Sequence, residues 1–468
     1  MRRSSRRCAS WRDVEAIIAP RGGASRMELN YIYATAAVMA GYFALQVLCR
    51  RFDPFAPIWL FLVGYVQIYV IQPITFHEWA VRVRGVELVT AANARAFWAL
   101  LWMLAVYHCG IGRLLSALVP KPPRAWTIAP IAVLCPLLTV WGLISAGMLL
   151  RAGGGADAML SPEESLFRSF HCVLLVSAIL LIITGRSGPR PRPALAAVGL
   201  ATGAAYVMIW MFNGKRSHSL MGVLCTTCAF YISRMRRPSW PVLIGTAFTG
   251  ALVVAIAIGW RGNKDYEQSF SGFVQFLGDF QVDKILVSLN LDEEEEHRKF
   301  ITHETKEYGG LLIMMDAVPD KSDYDYGVNY LRIFSTFIPR MLWIDKPLFG
   351  REQWIKAWIA SSELKRDLDF TGPAIGLLGA THLNGGASGT AIVLACLALL
   401  LRTAYEYFRR YASAPWVQAW WTLIFFNAWF MVVCDDPMVW FYYNWGFTTM
   451  PPLTVLWICN KLAAPTGV

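Results

Sequence analysis

Long apolar stretches recur along this chain, and each is close in length to the width of a lipid bilayer. One of them, PVLIGTAFTGALVVAIAIGW at residues 241–260, contains no charged side chain. An α-helix needs about 20 such residues to cross a hydrocarbon core about 30 Å thick. Because lipid cannot hydrogen-bond the backbone, apolar runs of this length must satisfy their own peptide groups, as helices do. The sequence therefore predicts an all-α, polytopic integral membrane protein.

The composition agrees with a membrane location. Charged residues make up 16% of the 468 residues and hydrophobic residues 56%. A soluble domain carries about 25% charged residues, so this chain has too few to cover a surface that faces water. About eleven transmembrane helices are predicted. They lie near residues 30–48, 57–74, 96–111, 128–150, 167–184, 194–212, 219–233, 241–260, 373–401, 416–434 and 442–460.

These spans divide the chain into two membrane segments and one large hydrophilic loop. Residues 27–260 hold predicted helices 1–8, residues 261–372 form the loop, and residues 373–468 hold helices 9–11. The acidic run at 292–296 is typical of a solvated segment. Residues 1–26 are a basic N-terminal extension, and Met27 is a sensible start for a first helix. We therefore expect translation to begin at Met27, which would make residues 1–26 a misassigned extension.

Lysine and arginine are distributed unequally between the short loops, and cytoplasmic loops carry the excess of these residues. The loops that follow the odd-numbered spans hold roughly twice as many of them as the loops that follow the even-numbered spans. The pattern predicts an outside N-terminus, an inside C-terminus and an extracytoplasmic large loop.

The segment FIPRMLWIDKP, residues 337–347, is the most unusual part of the loop. Pro339 suits the first position of a helix and Pro347 disfavours helix at Lys346, so about two turns fit between them. Arg340 and Lys346 could anchor an interfacial helix to lipid headgroups. Alternatively, a rigid turn could direct an arginine fork and a lysine charge at a phosphorylated ligand.

A second polar segment, FNGKRSHSL at residues 212–220, is a short turn between two apolar spans. It contains Lys215, Arg216 and His218. Like charges at a membrane boundary repel one another, and a bound anion would relieve that repulsion. The anion could be a ligand or lipid headgroups.

Three motifs together resemble those of the bacterial oligosaccharide repeat-unit polymerases, the Wzy type of O-antigen polymerase. They are GKRS at 214–217, IPRMLWIDKP at 338–347 and LNGG at 383–386, and the similarity covers roughly residues 208–402. In many such proteins an acidic residue and an aromatic residue precede the glycines, whereas here Ala380 and His382 stand at these positions.

The resemblance implies a glycosyltransferase that joins oligosaccharide units carried on polyprenyl pyrophosphate, at the periplasmic face of the inner membrane. Such a reaction needs cations for the departing pyrophosphate, because fixed positive charge stabilises developing negative charge. The candidates are Arg216, Arg340 and Lys346, followed by Arg261, Lys264 and Lys215. We expect no metal and no cofactor.

A base near the attacking sugar hydroxyl is also required. His382 and Asp345 rank together as candidates, followed by Asp265 and Asp435. Each of the first two has a structural alternative, because His382 could be a hydrogen-bonded packing residue and Asp345 could pair with Arg340 or Lys346.

The sequence leaves two other functions open. A flippase or transporter would also bind lipid-linked pyrophosphate, although the predicted spans contain essentially no interior Asp or Glu for proton coupling. An O-antigen ligase would share the donor but transfer the polymer to lipid A core. The expected partners are polyprenyl-pyrophosphate-linked oligosaccharides, membrane lipid, a chain-length regulator and a flippase, without nucleic acid.

Overall fold

The structure is a computed structural model that describes most of the two predicted membrane segments and part of the loop. The described residues are 27–123, 126–151, 170, 172–187, 190–262, 266–267, 269–280, 307–331, 334, 343, 356–357, 359, 375–433 and 449–463. Residues 1–26 and most of the FIPRMLWIDKP segment therefore lie outside the description.

Every regular element among these residues is helical. The helices are α1 Met27–Leu48, α2 Pro57–Thr75, α3 His77–Arg84, α4 Val86–His108, α5 Ile111–Leu118, α6 Ile128–Arg151, α7 Val173–Arg186, α8 Pro193–Phe212, α9 Arg216–Ile232, α10 Trp240–Gly262, α11 Phe270–Gly278, α12 Glu307–Ala317, α13 Gly376–Leu383, α14 Gly386–Tyr411, α15 Pro415–Phe425, α16 Asn427–Val433 and α17 Met450–Ala463. A π-helical turn, Gln67–Ile71, lies within α2.

Eight of the described helices are long and apolar enough to cross a membrane. They are α1, α2, α4, α6, α8, α10, α14 and the continuous pair α15–α16. The prediction of an all-α fold with several helices able to span a membrane is confirmed, and the count of eleven spans stays a prediction. The remaining three predicted spans correspond to shorter helices. They are α7, α9 and α17, of 14, 17 and 14 residues, in place of the spans near 167–184, 219–233 and 442–460.

The prediction of one continuous helix over residues 373–401 is wrong. The chain breaks between α13 and α14, where Gly385 and Gly386 have φ angles of +154° and +64°. Only glycine adopts such angles readily. A Cβ atom at Gly386 would also lie 2.8 Å from the Tyr324 hydroxyl oxygen. A loop residue distant in sequence therefore occupies the space that a continuous helix would need.

Helix α7 is the most deeply buried element, since its side chains from Val173 to Gly185 are all buried. It packs between α6 and α8, where Ser177 donates to the Cys135 carbonyl at 3.0 Å. A Cβ atom at Gly199 of α8 would lie 2.8 Å from the Ala178 carbonyl oxygen. Small residues allow such close helix contacts, which supply packing energy where lipid offers no hydrophobic driving force.

Replacing Gly199 tests this contact. Gly199→Ala is expected to destabilise the protein by about 1–3 kcal/mol, because the added methyl group meets backbone that cannot move aside. Gly245→Ala in α10 is the matched control, since a Cβ atom there has nothing within 4 Å and alanine favours a helix over glycine by about 1 kcal/mol. Thermal unfolding in detergent should separate the two variants, and equal midpoints would contradict the packing.

The loops of the described bundle collect at two ends. At one end, Phe52 stacks on Trp240 with ring centroids 5.2 Å apart, and Arg186 Nε donates to the Phe230 carbonyl at 3.0 Å. We call this the basic end, because Arg50, Arg237 and Arg402 lie there. It is the end that the charge distribution predicts to be cytoplasmic.

The opposite end carries the chain leading into and out of the large loop. There Trp260 Nε1 donates to the Phe212 carbonyl at 2.7 Å, and Gln72 bonds Glu307 at 2.6 Å. We call it the loop end, and the described candidate site residues lie at this end.

Candidate active site at the loop end

Four of the ten residues predicted for the site are described. Lys215, Arg216, Arg261 and His382 all lie at the loop end. The other six, Arg340, Asp345, Lys346, Lys264, Asp265 and Asp435, lie outside the described residues, so their roles stay predictions.

The turn between α8 and α9 holds Lys215 and Arg216 in place. Lys215 N–H donates to the Trp210 carbonyl and Gly214 N–H to the Met211 carbonyl, both at 2.9 Å, which is the hydrogen-bond pattern of a Schellman cap. Gly214 has φ +65°, as that cap requires. The turn is therefore rigid, and Arg216 follows it directly as the first residue of α9.

The same turn packs closely against α10. A Cβ atom at Gly214 would lie 2.9 Å from Cβ of Arg261. Glycine is thus required both by its left-handed backbone and by this contact. The turn that carries Lys215 and Arg216 therefore packs against Arg261, a cationic residue distant in sequence.

Glu307, at the start of α12, is a buried carboxyl group that sequence reasoning missed. It is only 4% exposed. Gln72 Nε2 donates to its Oε2 at 2.6 Å, and Tyr308 N–H donates to Gln72 Oε1 at 3.1 Å. Gln72 is therefore fixed between the side chain and the backbone of α12, and in turn it fixes the carboxylate.

Helix α13 begins beside this carboxylate. A Cβ atom at Gly376, the first residue of α13, would lie 2.9 Å from Cβ of Glu307. Leu378 N–H in the first turn donates to the Tyr69 hydroxyl at 2.9 Å. The first turn of α13 therefore packs directly against Glu307 and Tyr69.

The surroundings of Glu307 have opposite effects on the pKa of its carboxyl group. Burial, the largest effect, raises the pKa of the Glu307 carboxyl, while the Gln72 hydrogen bond and, more weakly, the Arg216 charge lower it. Arg216 is thus within electrostatic range of Glu307. A buried carboxylate with a raised pKa, near a cation, has the properties of a general base.

His382 lies near the other end of α13, roughly 9 Å along the helix axis from Gly376 at 1.5 Å per residue. Arg95 Nη1 contacts its Nδ1, and its Nε2 donates to the Val318 carbonyl at 3.0 Å. Burial, together with the Arg95 charge, lowers the pKa of His382 to about 4. The imidazole is therefore neutral near pH 7.

Because both ring nitrogens are engaged, His382 holds Arg95 in place in this arrangement. It could accept a proton only after the Arg95 contact opens. Its assignment as the base stays a prediction, as does the packing alternative.

Residues 324–330 close over the end of α13. Asp325 N–H donates to the Leu383 carbonyl at 2.8 Å, and Gly327 N–H donates to Asn384 Oδ1 at 2.9 Å. Asn384 Nδ2 donates back to the Ala380 carbonyl at 2.8 Å. This network fixes the break before α14 and the position of His382 beside it.

Arg95 and Glu307 were not predicted as site residues, and they differ in the sequence signal that could have identified them. Arg95 lies within an apolar helix, and an ionisable residue in a membrane span is a functional candidate by default. Glu307 stands after a long acid-rich segment that includes residues 292–296, and no local pattern distinguishes it from those neighbours.

No protein-family model matches this chain, and no curated protein or solved structure shows significant similarity to it. The site is therefore interpreted from its own geometry and from the motifs in the sequence.

Proposed function

We propose that this protein is a glycosyltransferase that polymerises polyprenyl-pyrophosphate-linked oligosaccharide units at the outer face of the bacterial inner membrane. The observation that carries the proposal is that Lys215, Arg216 and Arg261 lie at the end of the bundle where Glu307 is buried, with Arg216 within electrostatic range of that carboxyl group. This arrangement offers cations for a pyrophosphate and a carboxylate for a hydroxyl proton. The motifs GKRS and LNGG agree with such an enzyme.

In the proposed reaction, the acceptor hydroxyl oxygen attacks the anomeric carbon of the donor sugar, and the bond from that carbon to the pyrophosphate oxygen breaks. The bonding electrons leave with the polyprenyl pyrophosphate, whose negative charge Arg216 and its neighbouring cations stabilise. The hydroxyl proton passes to the Glu307 carboxylate. Arg340 and Lys346 are proposed to complete the pyrophosphate site.

The same proposal includes the topology of the protein. The chain crosses the membrane about eleven times, and α7, α9 and α17 are the shorter spans. The loop at 261–372 is periplasmic, the N-terminus is outside and the C-terminus is inside. The loop end then faces the periplasm, where the lipid-linked units are presented. A flippase would deliver these units, and a chain-length regulator would limit the product.

Deleting the gene and analysing the lipid-linked saccharides tests the function. We expect single repeat units to accumulate on the polyprenyl carrier, and the plasmid-borne gene to restore a ladder of longer chains. Lipid-linked polymer that persists after deletion, without transfer to lipid A core, would instead identify a ligase. Single units that accumulate only on the cytoplasmic side would identify a flippase. Either result would contradict the polymerase proposal.

A further inference from the structure

A cavity of about 430 Å³ opens at the basic end, opposite the candidate active site. It lies between α1, α4 and α14 and the loops beside them. Small-molecule sites typically occupy about 300–1,000 Å³, so the cavity is large enough for a ligand headgroup. Five arginines and one aspartate are among the residues that line it: Arg50, Arg51, Arg237, Arg402, Arg409 and Asp53.

The charges in this cavity are not balanced within the described part of the chain. Arg50, Arg51 and Arg237 form no ion pair with any described residue. Arg402 and Arg409 share one carboxylate, that of Glu406, at 2.5 and 3.6 Å. A concave surface with this excess of guanidinium groups attracts anions.

Asp53 does not neutralise the cavity arginines directly. Its Oδ2 accepts from the Tyr405 hydroxyl at 2.6 Å, and its Oδ1 accepts from the Phe55 N–H at 3.1 Å. Both partners are neutral donors. Asp53 thus organises the wall of the cavity while the guanidinium groups of Arg50, Arg51 and Arg237 remain available to a ligand.

Arg50 occupies a backbone position that favours glycine. Arg51 N–H donates to the Gln46 carbonyl at 2.8 Å and Arg50 N–H to the Val47 carbonyl at 3.0 Å, which makes a Schellman cap at the end of α1. Arg50 has φ +56° at the position where glycine is usual. A left-handed backbone is unfavourable for residues other than glycine. Arg50 can therefore be replaced by glycine without cost to the fold, which makes it suitable for testing the cavity.

A buried tyrosine interacts with one of the cavity arginines. The Tyr107 side chain lines the cavity and is 1% exposed, and Cζ of Arg402 lies 5.2 Å from its ring centroid. Tyr107 therefore holds Arg402 at the wall of the cavity.

One side of the cavity continues into aromatic surface. Trp59 lines the cavity and packs against Phe52 and Phe43, with ring centroids 5.1 and 5.7 Å apart. Trp240 stacks on Phe52, and Phe43 and Trp240 are 41% and 50% exposed. Aromatic residues of this kind are typical of the membrane interface, where a glycerol backbone and the start of acyl chains lie.

We propose that this cavity binds a phosphate-bearing anion, either the headgroup of an anionic phospholipid or a soluble phosphate compound. The site is separate from the proposed glycosyl transfer, because it lies at the other end of the bundle. Guanidinium groups recognise phosphate oxygens by paired hydrogen bonds, which suits several arginines around one cavity.

The general excess of arginine in cytoplasmic loops does not by itself explain the cavity. That rule concerns how many basic residues a loop holds and is satisfied by side chains that point into water. Here residues from three regions distant in sequence, Arg50, Arg237 and Arg402, line one concave surface. The exposed residues Arg192 and Arg236 lie in loops at the same end without lining it, and so provide a matched comparison.

The test is ligand binding to the full-length protein in detergent, followed by thermal unfolding at increasing ligand concentration. The probes are dioctanoyl phosphatidylglycerol and inorganic phosphate, with dioctanoyl phosphatidylcholine as the uncharged background. The variant Arg50→Gly/Arg237→Gln removes two cavity charges, and Arg192→Gln/Arg236→Gln removes two others from the same end. We expect the cavity variant to bind the anionic probe at least about tenfold more weakly than the unaltered protein does. The control variant should bind it with unchanged affinity.

Each outcome has a defined meaning. Binding of phosphatidylglycerol alone identifies a lipid headgroup, and binding of inorganic phosphate that the cavity variant loses identifies a soluble phosphate. If inorganic phosphate binds at the loop end instead, its affinity should be equal in the cavity variant and the control variant. Equal binding by the cavity variant and its control, or no binding of either probe, would overturn the proposal.

Arg50→Gly alone separates binding from folding. Glycine suits φ +56°, so the variant should unfold at the same or a higher temperature without ligand. Its affinity for the bound probe should nevertheless fall. A variant that is stabilised and binds normally would show that Arg50 has no role in the cavity.

Discussion

Glu307→Gln is expected to lower the rate of polymerisation about a hundredfold to ten-thousandfold, the usual contribution of a general base. The amide cannot accept the hydroxyl proton, yet it keeps the shape of the side chain and an oxygen for the Gln72 donor at 2.6 Å. The measurement is the initial rate at which lipid-linked chains lengthen in proteoliposomes that contain purified protein and single lipid-linked units.

Asp316→Asn is the matched control for this variant. Asp316 is a carboxylate on the same helix, 29% exposed, and it pairs with Lys321 at 2.6 Å and Arg84 at 3.5 Å. The closer pair is with Lys321, which is 43% exposed, and exposed ion pairs contribute about 0–1 kcal/mol to stability. Asparagine keeps an oxygen that can accept from Arg84, so the control should fold and polymerise nearly normally. If Glu307→Gln retains as much activity as Asp316→Asn, Glu307 is not the base.

Arg216→Lys is expected to slow polymerisation about a hundredfold to a thousandfold, the cost of losing one fixed group that stabilises transition-state charge. Lysine keeps the positive charge but cannot offer two parallel hydrogen bonds to phosphate oxygens. If Arg216 only anchors α9 among lipid headgroups, the same change should be nearly silent. The measurement is again the initial rate, with thermal unfolding of the variant to confirm its fold.

The pH dependence of Arg216→Gln gives an independent test of the electrostatic interaction between Arg216 and Glu307. The base must be ionised, so the rate should fall as pH decreases through the raised pKa of Glu307. Arg216 lowers that pKa, so its removal raises it further and should move the acid limb of the residual activity to higher pH. An unchanged acid limb would show that the two side chains do not interact during the reaction.

Much of the helical framework follows from local sequence. The apolar runs at 57–74, 194–212 and 241–260 correspond within about two residues to α2, α8 and α10. The prediction succeeds because a membrane-spanning helix satisfies its own backbone, so length and hydrophobicity within one segment are sufficient. It fails at 373–401, where the break at Gly385 and Gly386 depends on Tyr324 packing against the chain.

The candidate site likewise contains residues that local sequence predicts and residues that it does not. Its cations could be predicted, because Lys215 and Arg216 stand in a short turn that a local glycine caps. Glu307 could not, because only the fold distinguishes it from the other acidic residues of the loop.

The sequence by itself determined that the chain forms apolar membrane helices and which cations lie at their ends, since both properties depend on residues close together along the chain. Tertiary structure alone decided that Glu307 is buried against Gln72, 235 residues away, and that His382 bonds Arg95, 287 residues away. It also decided that arginines from separate loops surround one cavity. Burial and charge pairing depend on which residues distant in sequence are in contact, and no local pattern encodes those contacts.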